Sequence, residues 1–144
     1  MHFTYKEYPF DSSAYTSALN LRERVLRAPL NLAWEENAFA GEKDSFHIGC
    51  FKQEQLIATL VLMPVNKSIM KMRQVAVDFD YQRQGIGNAL VRFAEEFTKQ
   101  KGYRSITANA RLVTLSFYKT LGYSAAGGSF MEVTLPHYKI AKDL

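Results

Sequence analysis

The sequence predicts an α/β (α+β) fold in which helices lie on the faces of a mixed β-sheet. Three observations predict it. The run "LIATLVLM" is apolar at nearly every position, which is typical of a central strand covered on both faces. Other segments alternate apolar and polar residues, and a helical stripe of apolar residues follows them. With 144 residues, the chain fits one domain, 1–144, with a sizeable core.

The N-terminal half is predicted to contain three strands and two helices. A short edge strand over residues 2–7 comes first. Asp11 is the expected N-cap of the first helix, which ends before Pro29 because proline interrupts helices. A short second helix is expected over residues 33–40. The strand over residues 45–51 follows, and then the "LIATLVLM" strand.

The fourth strand, over residues 68–78, is predicted to carry a β-bulge. Its apolar residues occupy even positions up to Met72 and odd positions from Val75 onward. A bulge near Gln74 would produce this change of parity and would leave backbone groups unpaired. A fully buried strand end without a bulge is the alternative.

The C-terminal half is predicted to alternate helices and strands. A long helix begins at Ile86 and ends at Gly102, and the short strand "SITAN" follows. The helix in "TLSFYKTLGY" ends at Gly122. The chain closes with a strand around "FMEVTL" that Pro136 stops. The predicted order is β-α-α-β-β-β-α-β-α-β-β.

Composition and charge limit the classes of protein. A net charge of +4 without a dense basic run argues against a nucleic-acid partner. No apolar run approaches the roughly 20 residues of a membrane span, and the start lacks the features of a signal peptide. One cysteine allows no internal disulfide. We therefore expect a cytoplasmic protein that needs neither membrane nor nucleic acid, and a homodimer stays open.

The stretch "YQRQGIGNAL" places Gly85 and Gly87 between a strand and the start of a long helix. The first turn of a helix offers unpaired N–H groups, and glycines let a phosphate approach them. A Walker A loop does not fit, because no Gly-Lys-Ser/Thr follows. The dinucleotide fingerprint does not fit either, because Leu90 is too large for its last position.

"QRQGIG" resembles Q/R-x-x-G-x-G/A, the pyrophosphate loop of the GNAT superfamily of N-acetyltransferases. The strand ending in "VAV", the later asparagine and "FYKTLGY" are similar to the same family's signatures. This likeness is strong over residues 68–124, and the order of elements extends it over the chain. "LRERVLR" and "LPH" are similar to a bacterial branch. The resemblance implies a mostly antiparallel sheet with helices on both faces, acetyl-CoA as co-substrate and an amine acceptor.

The resemblance also implies which residues bind acetyl-CoA. Backbone groups of Val75, Ala76 and Val77 would pair with the pantetheine arm. The pyrophosphate would be held by backbone N–H groups of Arg83, Gln84, Gly85, Ile86, Gly87 and Asn88. Asn109 would contact the pantetheine where two parallel strands separate, and Tyr118 would lie near the thioester sulfur. Gln82 would fix the loop. An exposed Arg83 without a ligand is an alternative for that side chain.

Acetyl transfer to an amine needs a polarised carbonyl, an acid for the thiolate and a base for the amine. A backbone N–H at the bulge, that of Val75 or a neighbour, is a candidate for the first role. Tyr118 is the candidate acid, since a phenol can protonate a forming thiolate. We expect direct attack in a ternary complex, because Cys50 lies on an apolar strand face and is predicted to be a core residue. No metal is expected.

Glu132 and His137 in "FMEVTLPH" are the candidates for the base. Met131, Val133 and Leu135 alternate toward the core in this prediction, which points Glu132 and Thr134 to the other face. Histidine suits proton transfer near neutral pH, and glutamate would need burial to raise its pKa. The segment is weakly similar to the Glu-x-Gly-Ile-Pro-His ending of some family members. An edge strand with polar outer residues is the alternative.

The acceptor is left open by the sequence. Glu35 and Glu36 are placed to attract a cationic amine, or serve only the dipole of a helix. Trp34 is a candidate for lining the acceptor site or for packing, and a structural role is favoured for His47. A small-molecule or peptide amine is the expected partner. The alternative function is a non-catalytic acyl-CoA sensor or interaction module of the same fold.

Overall fold

The computed structural model describes residues 2–34, 38–132 and 135–144, and it contains one seven-stranded sheet with strand order β1-β2-β3-β4-β5-β7-β6. Only β4 and β5 pair in parallel, so the predicted mixed, mostly antiparallel sheet is confirmed. The strands are β1 Thr4–Tyr8, β2 Phe46–Lys52, β3 Gln55–Pro64, β4 Ile69–Val77, β5 Ser105–Arg111, β6 Ser124–Glu132 and β7 Leu135–Asp143. The α-helices are α1 Ser13–Arg22, α2 Ile86–Gln100 and α3 Leu115–Thr120.

Helices cover both faces of the sheet. The larger core cluster lies between α2 and the central strands, where Leu90 and Ala94 are 0% exposed. The smaller cluster packs Ala18 and Leu21 of α1 against Ala76. In β3, every residue from Leu56 to Leu62 is buried, as the apolar run predicts. The burial of apolar side chains on both faces of the sheet is the main stabilising term for the fold.

The bulge in β4 is confirmed. Thr59 pairs with Ala76 but Val61 pairs with Arg73, so Leu60 alone faces both Gln74 and Val75. Gln74 has a φ of 56°, in the left-handed region that residues other than glycine rarely adopt. The parallel pairing of β4 with β5 runs only from Ile69 and Ser105 to Met72 and Ala108. The two strands therefore separate just before the bulge.

Two predictions near the first helix are wrong. Ser12, and not Asp11, is the N-cap of α1, and its hydroxyl accepts a hydrogen bond from the Tyr15 N–H. The chain continues as a π-helical turn, Glu23–Arg27, and a 3₁₀ turn, Ala28–Leu30, since Pro29 cannot continue an α-helix. The described part of the predicted helix over residues 33–40 is not helical, and a 3₁₀ helix follows only at Glu42–Asp44.

The closing strand around "FMEVTL" is also a wrong prediction. Its residues belong to the ends of two strands, β6 and β7, which pair as a hairpin. Pro136 does not stop a strand: it is the second residue of β7 and precedes the pairing with β5, which begins at His137. Met131 does not face the core but is 67% exposed, because it lies near the hairpin tip. Val133 and Thr134 lie outside the described residues.

A buried ion pair joins α1 to the 3₁₀ helix before β2. Arg22 and Glu42 are each 1% exposed, and the guanidinium donates two hydrogen bonds of 2.9 and 2.7 Å to the carboxylate. The Tyr15 hydroxyl donates a third bond, of 2.6 Å. Burial alone would raise the pKa of Glu42, but these hydrogen bonds and the Arg22 charge outweigh it and lower the pKa.

We expect Glu42→Gln to lower the free energy of unfolding by about 3 kcal/mol, because it leaves the Arg22 charge buried without a counter-charge. Chemical denaturation at pH 7 measures the change. Because the pKa of Glu42 is lowered in the folded protein, its contribution is present above the unfolded pKa and is lost as the pH falls through the folded value. Glu96→Gln, at an exposed position of α2, is the matched control. Equal stabilities of the two variants would contradict this prediction.

Candidate active site

A cavity of about 190 Å³ lies where β4 and β5 separate. It brings together five residues that the sequence predicts for the site: Val75, Asn109, Tyr118, Glu132 and His137. They come from β4, β5, α3, β6 and β7. Residues from distant parts of the chain therefore converge on one concave surface, which is the usual form of a small-molecule site.

A chain of polar contacts links three of these residues. Asn109 Nδ2 donates a hydrogen bond of 3.1 Å to Glu132 Oε1, and Glu132 Oε2 lies 3.5 Å from His137 Nε2. His137 Nδ1 lies 2.9 Å from the Leu135 carbonyl oxygen. A carbonyl can only accept, so Nδ1 carries a proton and Nε2 of the neutral ring has a free lone pair. The side chain of His137 is 6% exposed and that of Glu132 is 40% exposed.

Tyr118 contributes a buried phenol to the lining of the cavity. It is 7% exposed, and its ring packs against Phe117 and Tyr123 at 5.0 and 5.7 Å between centroids. Burial raises the pKa of Tyr118 to about 12. The phenol therefore keeps its proton at neutral pH and well above it.

The glycine loop forms the N-terminus of α2. Gly85 is the N-cap with a φ of 80°, a conformation that glycine adopts without strain. The first helical hydrogen bond runs from the Ala89 N–H to the Gly85 carbonyl, so the N–H groups of Ile86, Gly87 and Asn88 precede the bonded turn. A Cβ added at Gly85 would meet no atom within 4 Å. The loop therefore presents free donors on an open side.

Contacts with β4 hold this loop beside the cavity. Gln82 Nε2 donates a 2.9 Å hydrogen bond to the Val77 carbonyl oxygen, which agrees with the loop-fixing role that the family resemblance implies. A Cβ at Gly87 would lie 3.7 Å from Val77 and 3.5 Å from Phe117. Ala76 is 2% exposed and faces α1, so only its backbone is able to contact a ligand. Arg83, with a φ of 63°, and Gln84 complete the exposed loop.

Sequence reasoning missed the cationic lining of the cavity. Lys71 and Arg73 of β4, Arg111 of β5 and Arg27 of the π-helical turn all line it. The signal was available for three of them. Lys71 and Arg73 alternate with buried methionines, and Arg111 follows Asn109 by two residues, so all three share one face of the sheet. The π-helical turn has no comparable signal in the sequence.

Other sequence-predicted residues lie outside the cavity. Cys50 is 0% exposed in the core, as predicted, and burial raises the pKa of its thiol. His47 is also buried, with Nε2 2.7 Å from the Glu42 carbonyl oxygen, so its structural role is confirmed. Trp34 packs beneath Arg27, whose guanidinium lies 4.5 Å from the ring centroid. Glu35 and Glu36 lie outside the described residues.

Comparison with known proteins defines the class. The family model "Acetyltransferase (GNAT) family" matches residues 10–123. The chain belongs to this family. It is 29% identical over 89 residues to N-acetyltransferase 8B of Homo sapiens, across 56% of this chain and 39% of that protein. The chain thus spans well under half the length of this curated relative.

Solved structures share the whole fold. A protein from Lactobacillus plantarum aligns with a TM-score of 0.90 and 21% identity, over 100% of this chain and 99% of that one. A GNAT family acetyltransferase from Elizabethkingia anophelis, solved with acetyl-CoA bound, aligns with a TM-score of 0.76 and 15% identity, over 99% and 98% of the two chains. At these identities the likeness shows the fold.

Two further findings concern membrane spans and metal binding. No helix in the described parts of the chain is long and apolar enough to cross a membrane. Among the same residues, no group of three or more His, Cys, Asp and Glu side chains is arranged to hold a metal ion.

Proposed function

We propose that the protein is an acetyl-CoA-dependent N-acetyltransferase that moves an acetyl group to a primary amine by direct attack in a ternary complex. The observation that carries this proposal is the cavity at the β4–β5 separation. It joins a buried, protonated phenol with a histidine–carboxylate pair beside an irregular stretch of strand backbone. Membership of the family supplies the reaction class.

The glycine loop suits the pyrophosphate of coenzyme A. Its free N–H groups lie at the positive end of the α2 dipole, and no side chain occupies the space in front of Gly85. From the loop, Val77 and then Val75 lead along β4 to the cavity. A pantetheine arm that followed this path would pass Asn109 on the facing strand and reach Tyr118.

His137 is the group we assign to the amine proton. In the neutral ring the lone pair of Nε2 is available, and Glu132 lies beside it. When Nε2 takes the proton, it gains a donor that faces the Glu132 carboxylate, so the imidazolium forms next to its counter-charge. The Asn109 amide holds that carboxylate in place. Glu132 is therefore a positioning residue for His137, and both lie within the cavity that would receive the amine.

Two other groups complete the transfer. The bulge leaves backbone at Gln74 and Val75 outside the regular ladder, and an N–H there is able to polarise the thioester carbonyl. The Tyr118 phenol donates its proton to the departing sulfur, which leaves as a thiol. Burial raises the proton affinity of a thiolate as it does that of a phenolate, which keeps donor and acceptor matched.

A pair of substitutions at Gly87 tests the binding of coenzyme A. Gly87→Ala should keep the affinity, because the added Cβ meets Phe117 and Val77 at ordinary contact distances and the family motif allows alanine. Gly87→Val should weaken binding about 10- to 100-fold, because its two further methyl groups overfill this contact and displace the loop. Isothermal titration with CoA measures both. Equal affinities in the two variants would mean that the ligand lies elsewhere.

The proposed function itself is tested in two steps. Thermal unfolding is followed with acetyl-CoA, CoA and ATP, and only the two CoA compounds should raise the midpoint. Thiol release from acetyl-CoA is then followed with a panel of primary amines. Stabilisation by CoA without thiol release for any amine would favour the acyl-CoA sensor. Stabilisation by ATP alone would contradict the proposal.

A further inference from the structure

The cavity contains more positive charge than the transfer of an acetyl group requires. Lys71, Arg73 and Arg111 line it and are half-buried. Within the described ranges, none of these three side chains makes an ion pair or a hydrogen bond with another residue. The described lining contains one carboxylate, that of Glu132, and its oxygens already face Asn109 and His137.

These cations lie on the same face of the sheet as the proposed base. Lys71 pairs with Thr107 across β4 and β5, and Arg73 and Arg111 continue that face along their strands. Arg111 also pairs directly with His137 across β5 and β7. Residues paired in this way have Cβ atoms about 5 Å apart. A positive group therefore flanks the position where the amine would lose its proton.

An apolar groove of about 210 Å³ adjoins the cavity. Arg111 lines both, and the other groove residues are Leu30, Leu112, Val113, Leu135 and Pro136. Leu112 is 53% and Val113 is 76% exposed, so the groove is open to solvent on one side. Because Arg111 lines both, the groove continues the cavity on the side of Arg111.

We propose that the acceptor is an amine with an anionic group close to its nitrogen and an apolar side chain, as in α-amino acids with aliphatic or aromatic side chains. This inference rests on the proposed function. The amine faces His137, the anionic group pairs with Arg111 and Arg73, and the apolar side chain lies against Leu112 and Leu135. Pairing with an anion removes the repulsion among half-buried like charges, which a neutral amine would leave in place.

The cations are less suited to the phosphates of coenzyme A. The loop proposed for the pyrophosphate, residues 83–88, follows the far end of β4 and contacts it at Val77. Lys71 and Arg73 lie before the bulge, on the side of the cavity where β4 still approaches β5. No residue of the loop lines the cavity.

The test uses product-shaped ligands, so that it does not depend on turnover. N-acetyl-leucine, its neutral counterpart N-(3-methylbutyl)acetamide and its phosphonate analogue are titrated into the CoA-loaded protein. N-acetylglycine is the fourth ligand. We expect the leucine acid to bind about tenfold or more tighter than the neutral amide, since charge-assisted hydrogen bonds are the stronger kind. We expect it to bind about tenfold tighter than the glycine acid, which lacks the side chain. The phosphonate distinguishes a carboxylate site from one for tetrahedral anions.

Arginine variants assign the effect to the cavity. Arg111→Gln and Arg73→Gln should reduce the affinity for the acid to that for the neutral amide. Arg104→Gln is the matched control, because Arg104 is exposed just before the other end of β5. Two outcomes would overturn the inference in a protein that binds CoA: the acid and the amide bind with equal affinity, or neither of them binds. Both outcomes leave the proposed function standing. Loss of CoA affinity in the arginine variants also overturns it. If the wild-type protein fails to bind CoA, the proposed function itself is wrong.

Discussion

Tyr118→Phe is expected to lower kcat about 10²- to 10⁴-fold, the usual contribution of general acid catalysis. The substitution removes one hydroxyl from a ring that is 7% exposed and keeps its packing against Phe117 and Tyr123. The affinity for acetyl-CoA should therefore stay nearly unchanged. Single-turnover measurements with a saturating amine isolate the chemical step from product release.

Tyr123→Phe is the matched control for this variant. Tyr123 is 2% exposed and its ring lies 5.7 Å from that of Tyr118, but it does not line the cavity. Its kcat should stay within about twofold of wild type, because this substitution changes a core residue but removes no acid from the cavity. If the two variants have the same single-turnover rate as wild type, Tyr118 is not the acid.

The pH dependence offers a second test of the phenol. Because burial raises the pKa of Tyr118 to about 12, the acid form persists well above the usual value of about 10 for a tyrosine. The rate should not fall between pH 8 and about 10 through loss of this proton. A basic limb in that range that vanishes in Tyr118→Phe would mean that the phenol titrates as if it were exposed.

The sequence predicted those parts of the fold that local patterns determine. The change of parity around Gln74 was enough to predict the bulge, because a bulge must move side chains to the other face. The glycine turn and the apolar stripe of α2 located the N-terminus that carries the free donors. Both signals depend only on neighbours in sequence, and both were confirmed as structure.

The hairpin between β6 and β7 could not be predicted in the same way. Ser124–Glu132 is exposed at almost every position, so the alternation that marks a strand is missing. Pro136 looked like a stop because proline removes a donor, but it pairs with Met131 on β6, and the ladder with β5 starts one residue later, at His137. Strand pairing across the sheet, and not local composition, determines where these residues lie.

The residues of the candidate site could be predicted from motifs, but the contacts between them could not. Val75, Asn109, Tyr118, Glu132 and His137 were named from motifs, and they meet in one cavity although 62 positions separate the first from the last. The contacts between them depend on the order of β5, β7 and β6, which the motifs do not contain. Their roles, the cytoplasmic location and the oligomeric state stay predictions.

The second large effect is expected at His137. His137→Asn should lower kcat/KM about 10²- to 10⁴-fold at neutral pH and remove the acidic limb of its pH profile, because the proposed base is lost. Its side chain is 6% exposed, so the variant must first be shown to unfold cooperatively and to bind CoA. His47→Asn is the control, since it alters a second buried histidine that contacts a backbone carbonyl away from the cavity.

Glu132→Gln separates the base from the residue that positions it. If His137 is the base, this variant should keep an acidic limb, because the imidazole that takes the proton is still present. The rate above the limb should fall less than in His137→Asn, since the amide still accepts a hydrogen bond from Asn109. If Glu132 is the base instead, Glu132→Gln removes the limb and His137→Asn keeps it. An unchanged wild-type limb in both variants would mean that the amine loses its proton to neither residue.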